Sequence, residues 1–218
     1  MILHCTPPSS LHIPNPALGY LKGFLQSKGI QVKNVYWNLI LAKSVSQFQR
    51  GLTKFSEDKD FLSIFPVLYI SRQLLRGDSG KKTPLDLLYE SLYSKKEIKE
   101  MIRTIKEEID RYILENNLHK TALAGVTVKS YQWLMSLYLI GRLKHLNPDT
   151  TIVIGGITNE EQARAYMNVF NLADYAIWGE GEYPLEHLVH AVTEGTPVTD
   201  VPHLVYRDSS GICATTRV

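Results

Sequence analysis

The chain has very little cysteine. Cys5 and Cys213 stand near opposite ends of it, and neither has a second cysteine at the spacing that a zinc site or an iron–sulfur cluster needs. A disulfide between the two is the less favoured reading, because Cys5 falls inside an apolar, strand-like start where a free thiol behaves as a small hydrophobe. Nothing before it resembles a cleaved signal peptide, so the expected compartment is reducing and cytoplasmic. Long apolar runs are missing as well. The stretch from Trp133 to Gly141 is too short to span a bilayer, and no membrane partner is expected. Charge of one sign is also lacking: 24 basic against 22 acidic residues leave a net +2, too little to recruit nucleic acid or anionic lipid.

Two phosphate-binding signatures are absent. No Gly-x-Gly-x-x-Gly follows the first strand-like segment, and no Gly-x-x-x-x-Gly-Lys-Ser/Thr occurs, which removes the dinucleotide dehydrogenases and the nucleotide triphosphatases. No serine or cysteine nucleophile stands beside a base. The seven histidines are scattered, and His187 and His190, three apart on one amphipathic segment, read as partly exposed helix histidines before they read as metal ligands.

What remains is an ordinary globular composition, 44% hydrophobic and 21% charged over 218 residues, enough for one generous domain or one domain with an insertion. Met1 to Cys5 reads as a strand ended by the Pro7-Pro8 loop. Asn15 caps a helix with Pro16 at its first position and Leu18, Leu21, Phe24 and Leu25 on one face, stopped by Gly29. Ile30 to Val35 is a second strand, followed by Tyr36-Trp37-Asn38 at the end where α/β sheets bind ligands. Asn38 reads equally as a turn residue.

From 39 to 118 the periods are helical: Phe61 to Leu75, a helix starting at Thr83-Pro84, and Lys95 to Leu114. In the last, Ser94 and Glu97 form a capping box, and Ile98, Met101, Ile102, Ile105, Ile109, Tyr112 and Ile113 form one stripe. Eighty residues exceed an ordinary crossover, so 39–118 is expected to be a helical insertion. Thr121 to Val128 returns to strand, and Ser130 is expected to cap a helix from Tyr131 to His145 with Trp133, Leu134, Leu137, Ile140 and Gly141 inward. Thr151 to Ile154 is a buried strand running into Gly155-Gly156, which is either a ligand-facing turn or plain strand-to-loop punctuation. Thr158 caps the next helix, from Asn159 to Phe170, with Glu160 and Glu161 in its first turn. Asp174 to Trp178 is a fifth strand, leading through Gly179-Glu180-Gly181-Glu182 into a helix from Pro184 to Thr193. Val201 to Val205 and Ile212 to Thr216 flank a turn and read as a terminal hairpin.

Strand and helix alternate outside the insertion. The expected fold is therefore α/β: a doubly wound, five-stranded parallel sheet, flavodoxin-like or Rossmann-like, with residues 1–38 and 119–200 as the α/β domain and 201–218 as the hairpin. Ligands of such sheets sit beyond the carboxyl ends of the strands. The unusual residues collect there: Pro7-Pro8, Tyr36 to Asn38, Thr127 to Tyr131, Gly155-Gly156 and Gly179 to Glu182.

The order and spacing of these pieces resemble the cobalamin-binding domain that precedes the catalytic barrel in cobalamin-dependent radical S-adenosylmethionine enzymes. The resemblance rests on Pro7-Pro8 with Gly19-Tyr-Leu-Lys-Gly-Phe-Leu, Val126-Thr127-Val128, Gly155-Gly156, and Asp174-Tyr-Ala-Ile-Trp-Gly-Glu-Gly-Glu182 followed by Pro184-Leu-Glu-His-Leu-Val. The long insertion is similar to that of the subgroup that modifies ribosomally made peptides.

The resemblance implies a corrinoid whose lower loop or nucleotide tail passes Gly155-Gly156, with Ile157 and Thr158 following. Thr127, Lys129, Ser130 and Tyr131 would line the cavity from the neighbouring strand end, with Asn38 contributing from the second strand. Gly179, Glu180, Gly181 and Glu182 would form the next wall, and Pro7, Pro8 and Ser9 would close it. For the two glutamates a plain helix-start role is the alternative. The Asp-x-His-x-x-Gly signature that supplies a cobalt ligand is missing, so neither His4 nor His12 is named for that role and no protein metal ligand is expected. The Cys-x-x-x-Cys-x-x-Cys triplet of the family is also missing, so the [4Fe-4S] cluster and S-adenosylmethionine would belong to a carboxyl-terminal barrel of the same polypeptide. The expected function is a cobalamin-binding module of a methyltransferase that binds without catalysing, with a peptide as a further partner of the parent enzyme. The alternatives are a degenerate flavodoxin-like domain serving as a docking module, and a small-molecule enzyme using Lys129 or the glutamates.

Overall fold

A computed structural model describes residues 1–9, 15–47, 64–76 and 81–215, and of Ser130 the backbone alone. His12, residues 61–63 of the helix expected to start at Phe61, and Thr216 lie outside the described residues. Seven strands form one sheet: β1 (Ile2–Cys5), β2 (Lys33–Tyr36), β3 (Leu123–Thr127), β4 (Thr151–Ile157), β5 (Tyr175–Trp178), β6 (Leu204–Asp208) and β7 (Gly211–Ala214). Their order is β2-β1-β3-β4-β5-β6-β7. The first five are mutually parallel, whereas β6 pairs antiparallel with β5 and β7 antiparallel with β6. The count of five strands is thus corrected to seven. The hairpin does not stand apart, because Tyr206, Val205 and Leu204 pair with Tyr175, Ala176 and Ile177 along an edge that would otherwise expose unpaired backbone groups.

The helices are α1 (Pro16–Ser27), α2 (Trp37–Ile40), α3 (Ala42–Ser46), α4 (Ile64–Arg76), α5 (Pro84–Leu92), α6 (Lys95–Glu115), α7 (Trp133–Leu146), α8 (Glu160–Val169) and α9 (Glu182–Glu194). Local chemistry sets their starts. Asn15 accepts from the Ala17 N–H ahead of Pro16, and Ser94 and Glu97 bond reciprocally as a capping box. Thr83 and Asp86 form a second box before α5. Ser130 does not cap α7: a 3-10 turn over Ser130–Gln132 intervenes and the helix begins at Trp133. Met135, Leu139, Ile140 and Leu143 are buried, Ile140 as expected, while Trp133, expected inward, is exposed. Nor does Thr158 cap α8. The Asn159 side chain accepts from the Gln162 N–H instead, and the Thr158 N–H is taken by Gln162 Oε1.

The two faces are covered by different helices. Ile2, Ala124, Val126, Ile152 and Ile154 share one core with α6, α7, α8 and the buried residues of the 39–118 segment, including Val67, Ile105, Ile109 and Ile113. The segment therefore seals one face of the sheet. Leu3, Cys5, Leu123, Val153 and Ile177 face the other way, against Leu18 and Leu25 of α1 and Leu185, Leu188 and Val189 of α9. Because β1→β2 runs through α1 on one face and β2→β3 through the insertion on the other, the chain reverses direction between β1 and β3. Such a reversal opens a crevice at the carboxyl ends of the strands.

Candidate functional site

A cavity of about 900 Å³ opens at those strand ends, chiefly on the α1/α9 side, with His4, Ile154 and Ile64 of α4 also lining it. It lies near the upper end of the roughly 300–1,000 Å³ expected of small-molecule and cofactor sites. Its deep wall is apolar: Leu3, Val153 and Ile177 from alternate sheet positions, with Leu18 and Leu21 of α1 and Leu185 of α9 opposite. Its mouth is polar, with Lys129 and Tyr131 on one side and Glu180 and Glu182 on the other.

Gly155 and Gly156 lie in the floor, though as part of β4 and not beyond it. Gly155 pairs with Thr127, and its carbonyl accepts from the Val128 N–H at 3.0 Å. The Ile157 carbonyl accepts from the Gly179 N–H at 2.9 Å, so pairing runs past both glycines. Between Ile154 and Ile157 the register against β5 shifts, a bulge that bends the strand end. The two glycines serve different ends. A Cβ on Gly155 would meet nothing within 4 Å, so its bareness leaves open cavity. Gly156 has φ +83° and would bring a Cβ to 3.4 Å from that of Lys129, so backbone conformation demands glycine there.

Most of the expected site residues converge on this cavity. Pro8 and Ser9 close it from β1, Thr127, Lys129 and Tyr131 from β3, Gly155, Gly156, Ile157 and Thr158 from β4, and Gly179, Glu180, Gly181 and Glu182 from β5. Three do not join them in the same way. Pro7 is buried behind the loop and does not line the cavity. Asn38 is 7% exposed on α2, beyond the edge strand β2, where β1 separates it from the opening. For Ser130 only the backbone is described, in the turn before α7. Glu182 is the first residue of α9, so its carboxylate stands in the first turn whatever else it does.

Several lining residues carried no expectation of a site role. Gly125 sits mid-strand, and its Cβ would fall 2.6 Å from Leu3 Cδ2. A glycine inside an apolar strand was the available signal for close approach. Gln132 and Asn15 also line the cavity; Asn15 was expected only as a helix cap, and nothing in its sequence surroundings marks Gln132. A hydrogen-bond group fixes the rim: Gln132 Nε2 donates to the Thr6 carbonyl at 2.8 Å, Ser136 Oγ donates to the Thr127 carbonyl at 2.6 Å, and the Thr6 and Ser136 hydroxyls are 2.7 Å apart. Together they tie the β1 loop to β3 and α7.

His4, on β1, is fully buried and receives the Trp37 indole N–H on Nδ1 at 3.1 Å. Burial first, and the Lys33 charge second, push its pKa down to about 3, so the ring is neutral near pH 7. With Nδ1 accepting, the proton of the neutral ring must sit on Nε2, which leaves no lone pair for a metal. Among the described residues no group of three or more His, Cys, Asp or Glu side chains is placed to hold a metal ion, and no helix is long and apolar enough to cross a membrane. Cys5 and Cys213 are both free thiols.

Comparison with solved structures adds a fold-level relation. The radical S-adenosylmethionine methyltransferase TsrM from Kitasatospora setae, solved with tryptophan and a SAM analogue, matches over 98% of this chain with TM-score 0.54 at 18% identity. The same enzyme solved with cobalamin and a [4Fe-4S] cluster matches over 100% of the chain with TM-score 0.55 at 17% identity. The chain shares the fold of part of TsrM. It spans about 30% of the TsrM chain. No protein-family model and no curated protein sequence matches it.

Proposed function

We propose that this chain is a corrinoid-binding module with cobalamin as its ligand, and that it works as part of a radical S-adenosylmethionine enzyme of the methyltransferase type. The observation that carries the reading is the cavity at the switch point, whose floor is left open at Gly155 while its deep wall stays apolar. Cobalamin is larger than a drug-sized ligand, so the cavity would take only part of it. The fold shared with TsrM supports the same reading, since that enzyme has been solved with cobalamin bound.

Leu3, Leu18, Leu21, Val153, Ile177 and Leu185 would exclude water from the buried part of the ligand, and Gly155 and Gly156 would let it lie against backbone. Lys129 and the two glutamates would stand at the wet end. The bound group would supply a cobalt centre able to carry a methyl group; the protein's own part is binding and orientation. His4 does not fit as a cobalt ligand, because Trp37 holds its Nδ1 and its Nε2 carries the proton. The [4Fe-4S] cluster, S-adenosylmethionine and any peptide substrate would belong to a barrel that these 218 residues do not contain.

The test is a titration of the protein with hydroxocobalamin, followed in the visible spectrum. A saturable spectral change at one equivalent is expected. Absence of any change with excess cofactor counts against the reading.

A further inference from the structure

Three residues that line the cavity carry a buried polar atom without a partner: Thr127 and Gln132, at the end of β3 and in the turn after it, and His4 at Nε2. Gln132 is 7% exposed, and its amide is oriented by the Nε2 bond to the Thr6 carbonyl, with the Pro8 carbonyl 3.5 Å away. Turning the amide over would set its oxygen against those carbonyl oxygens, so the orientation is fixed. Its main-chain carbonyl lies 3.0 Å from Ser136 Oγ, whose proton goes mainly to the nearer Thr127 carbonyl. Gln132 Oε1 is left shut off from water with no hydrogen-bond partner, and Thr127 Oγ1 is in the same condition. Both residues line the cavity. A buried polar atom left alone costs about 1–3 kcal/mol, and two on one wall ask for a ligand that completes them.

We propose that Gln132 and Thr127 form an amide-reading subsite. Gln132 Oε1 takes an N–H of a primary carboxamide on the ligand's rim, and the Thr127 hydroxyl donates to a carbonyl oxygen on the same rim. The inference rests on the corrinoid reading above and adds a selectivity to it. Gln132 Oε1 can only accept, so the ligand must bring an N–H or O–H donor. A corrinoid rim carries several primary carboxamides. Converting the one that meets Gln132 to a carboxylate removes the donor and sets a negative charge against a carbonyl oxygen.

The experiment titrates the 218-residue protein with hydroxocobalamin and, separately, with its peripheral monocarboxylic acids, in each of which one amide is hydrolysed. At least one acid is expected to bind about 10- to 100-fold more weakly than the parent, the range set by one unmet buried hydrogen bond. That ratio is expected to fall to about one in Gln132→Met. Because Gln132→Met also loses the Thr6 bond, Thr127→Val provides an independent arm. It should weaken the parent corrinoid about tenfold while leaving the ligand-free melting temperature unchanged or raised, since it deletes an unpaired hydroxyl. Equal binding of the parent and every acid by the unmodified protein overturns the subsite and leaves corrinoid binding standing. Loss of affinity and stability together in Thr127→Val overturns the role of that hydroxyl. Failure of the unmodified protein to bind any corrinoid removes the proposed function itself.

Discussion

On one face of the sheet the segment from α2 to α6, with α7 and α8, buries a continuous apolar core; on the other only α1 and α9 cover the strands, and the cavity lies at their strand-end edge. Glycines on two neighbouring strands of the open face, Gly125 on β3 and Gly155 on β4, show how finely that space is divided. Gly125 is bare because Leu3 already fills the position its Cβ would take, at 2.6 Å. Gly155, one strand over, is bare with nothing within 4 Å. One glycine permits packing and the other leaves a vacancy, and only the vacancy adds open space to the cavity.

The division is sharpest if each face can be damaged alone. Ile105→Ala, on the sealed face where Ile105 is fully buried, should cost about 2–5 kcal/mol, read from the urea midpoint, with unchanged corrinoid affinity in the folded protein. Equal loss of affinity would show that the faces are not independent. Gly155→Val should do the reverse. Corrinoid affinity should fall at least about 100-fold, roughly 2.7 kcal/mol, while the urea midpoint hardly moves. Gly156→Val is the poorer test, because φ +83° adds a backbone strain of about 1–3 kcal/mol to any steric effect. Gly125→Ala should destabilise by about 1–3 kcal/mol through overpacking against Leu3.

What the sequence made legible was local. The box of Ser94 with Glu97 and the Asn15-Pro16 start depend on groups within three residues of each other, and both appear as expected. The parallel α/β order was equally readable from alternating periods. What failed depended on distant partners. The extension of β4 through Gly155 needs the Val128 and Gly179 amides, and the docking of β6 on β5 needs an edge whose identity follows from strand order. Asn38 sits at a strand end, yet β2 proved to be the edge strand. Gln132 entered the cavity because a 3-10 turn delayed α7, and no periodicity encodes that delay.

A titration probes β1, which lies between the faces. His4 lies beside Trp37 and also lines the cavity, and burial, then the Lys33 charge, lower its pKa to about 3 from the ordinary 6.5. The unfolded chain takes up a proton below about pH 6.5 while the folded one does not until about pH 3. The stability held by the neutral ring is therefore complete above pH 6.5 and is lost as the pH falls toward 3, by up to about 1.4 kcal/mol per unit. Urea midpoints at pH 7 and 5 should show the drop, and His4→Gln should remove that part of it. A slope unchanged in His4→Gln would assign the acid sensitivity elsewhere.

The smallest expected effect compares two helix caps, one on each face. Asn159 caps α8 on the sealed face and Asn15 caps α1, which borders the cavity; their side chains accept from the Gln162 and Ala17 amides at 2.9 and 3.0 Å. Each substitution by Ala should cost about 1 kcal/mol, the ordinary value of a lost side-chain cap. The difference should appear on titration with hydroxocobalamin. Asn159→Ala leaves affinity alone, whereas Asn15→Ala removes a residue that lines the cavity, loosens the first turn of a helix that presents Leu18 and Leu21 to it, and weakens binding several-fold. If the two variants lose affinity equally, α1 is a cover like α8, and the open face owes its cavity to the sheet alone.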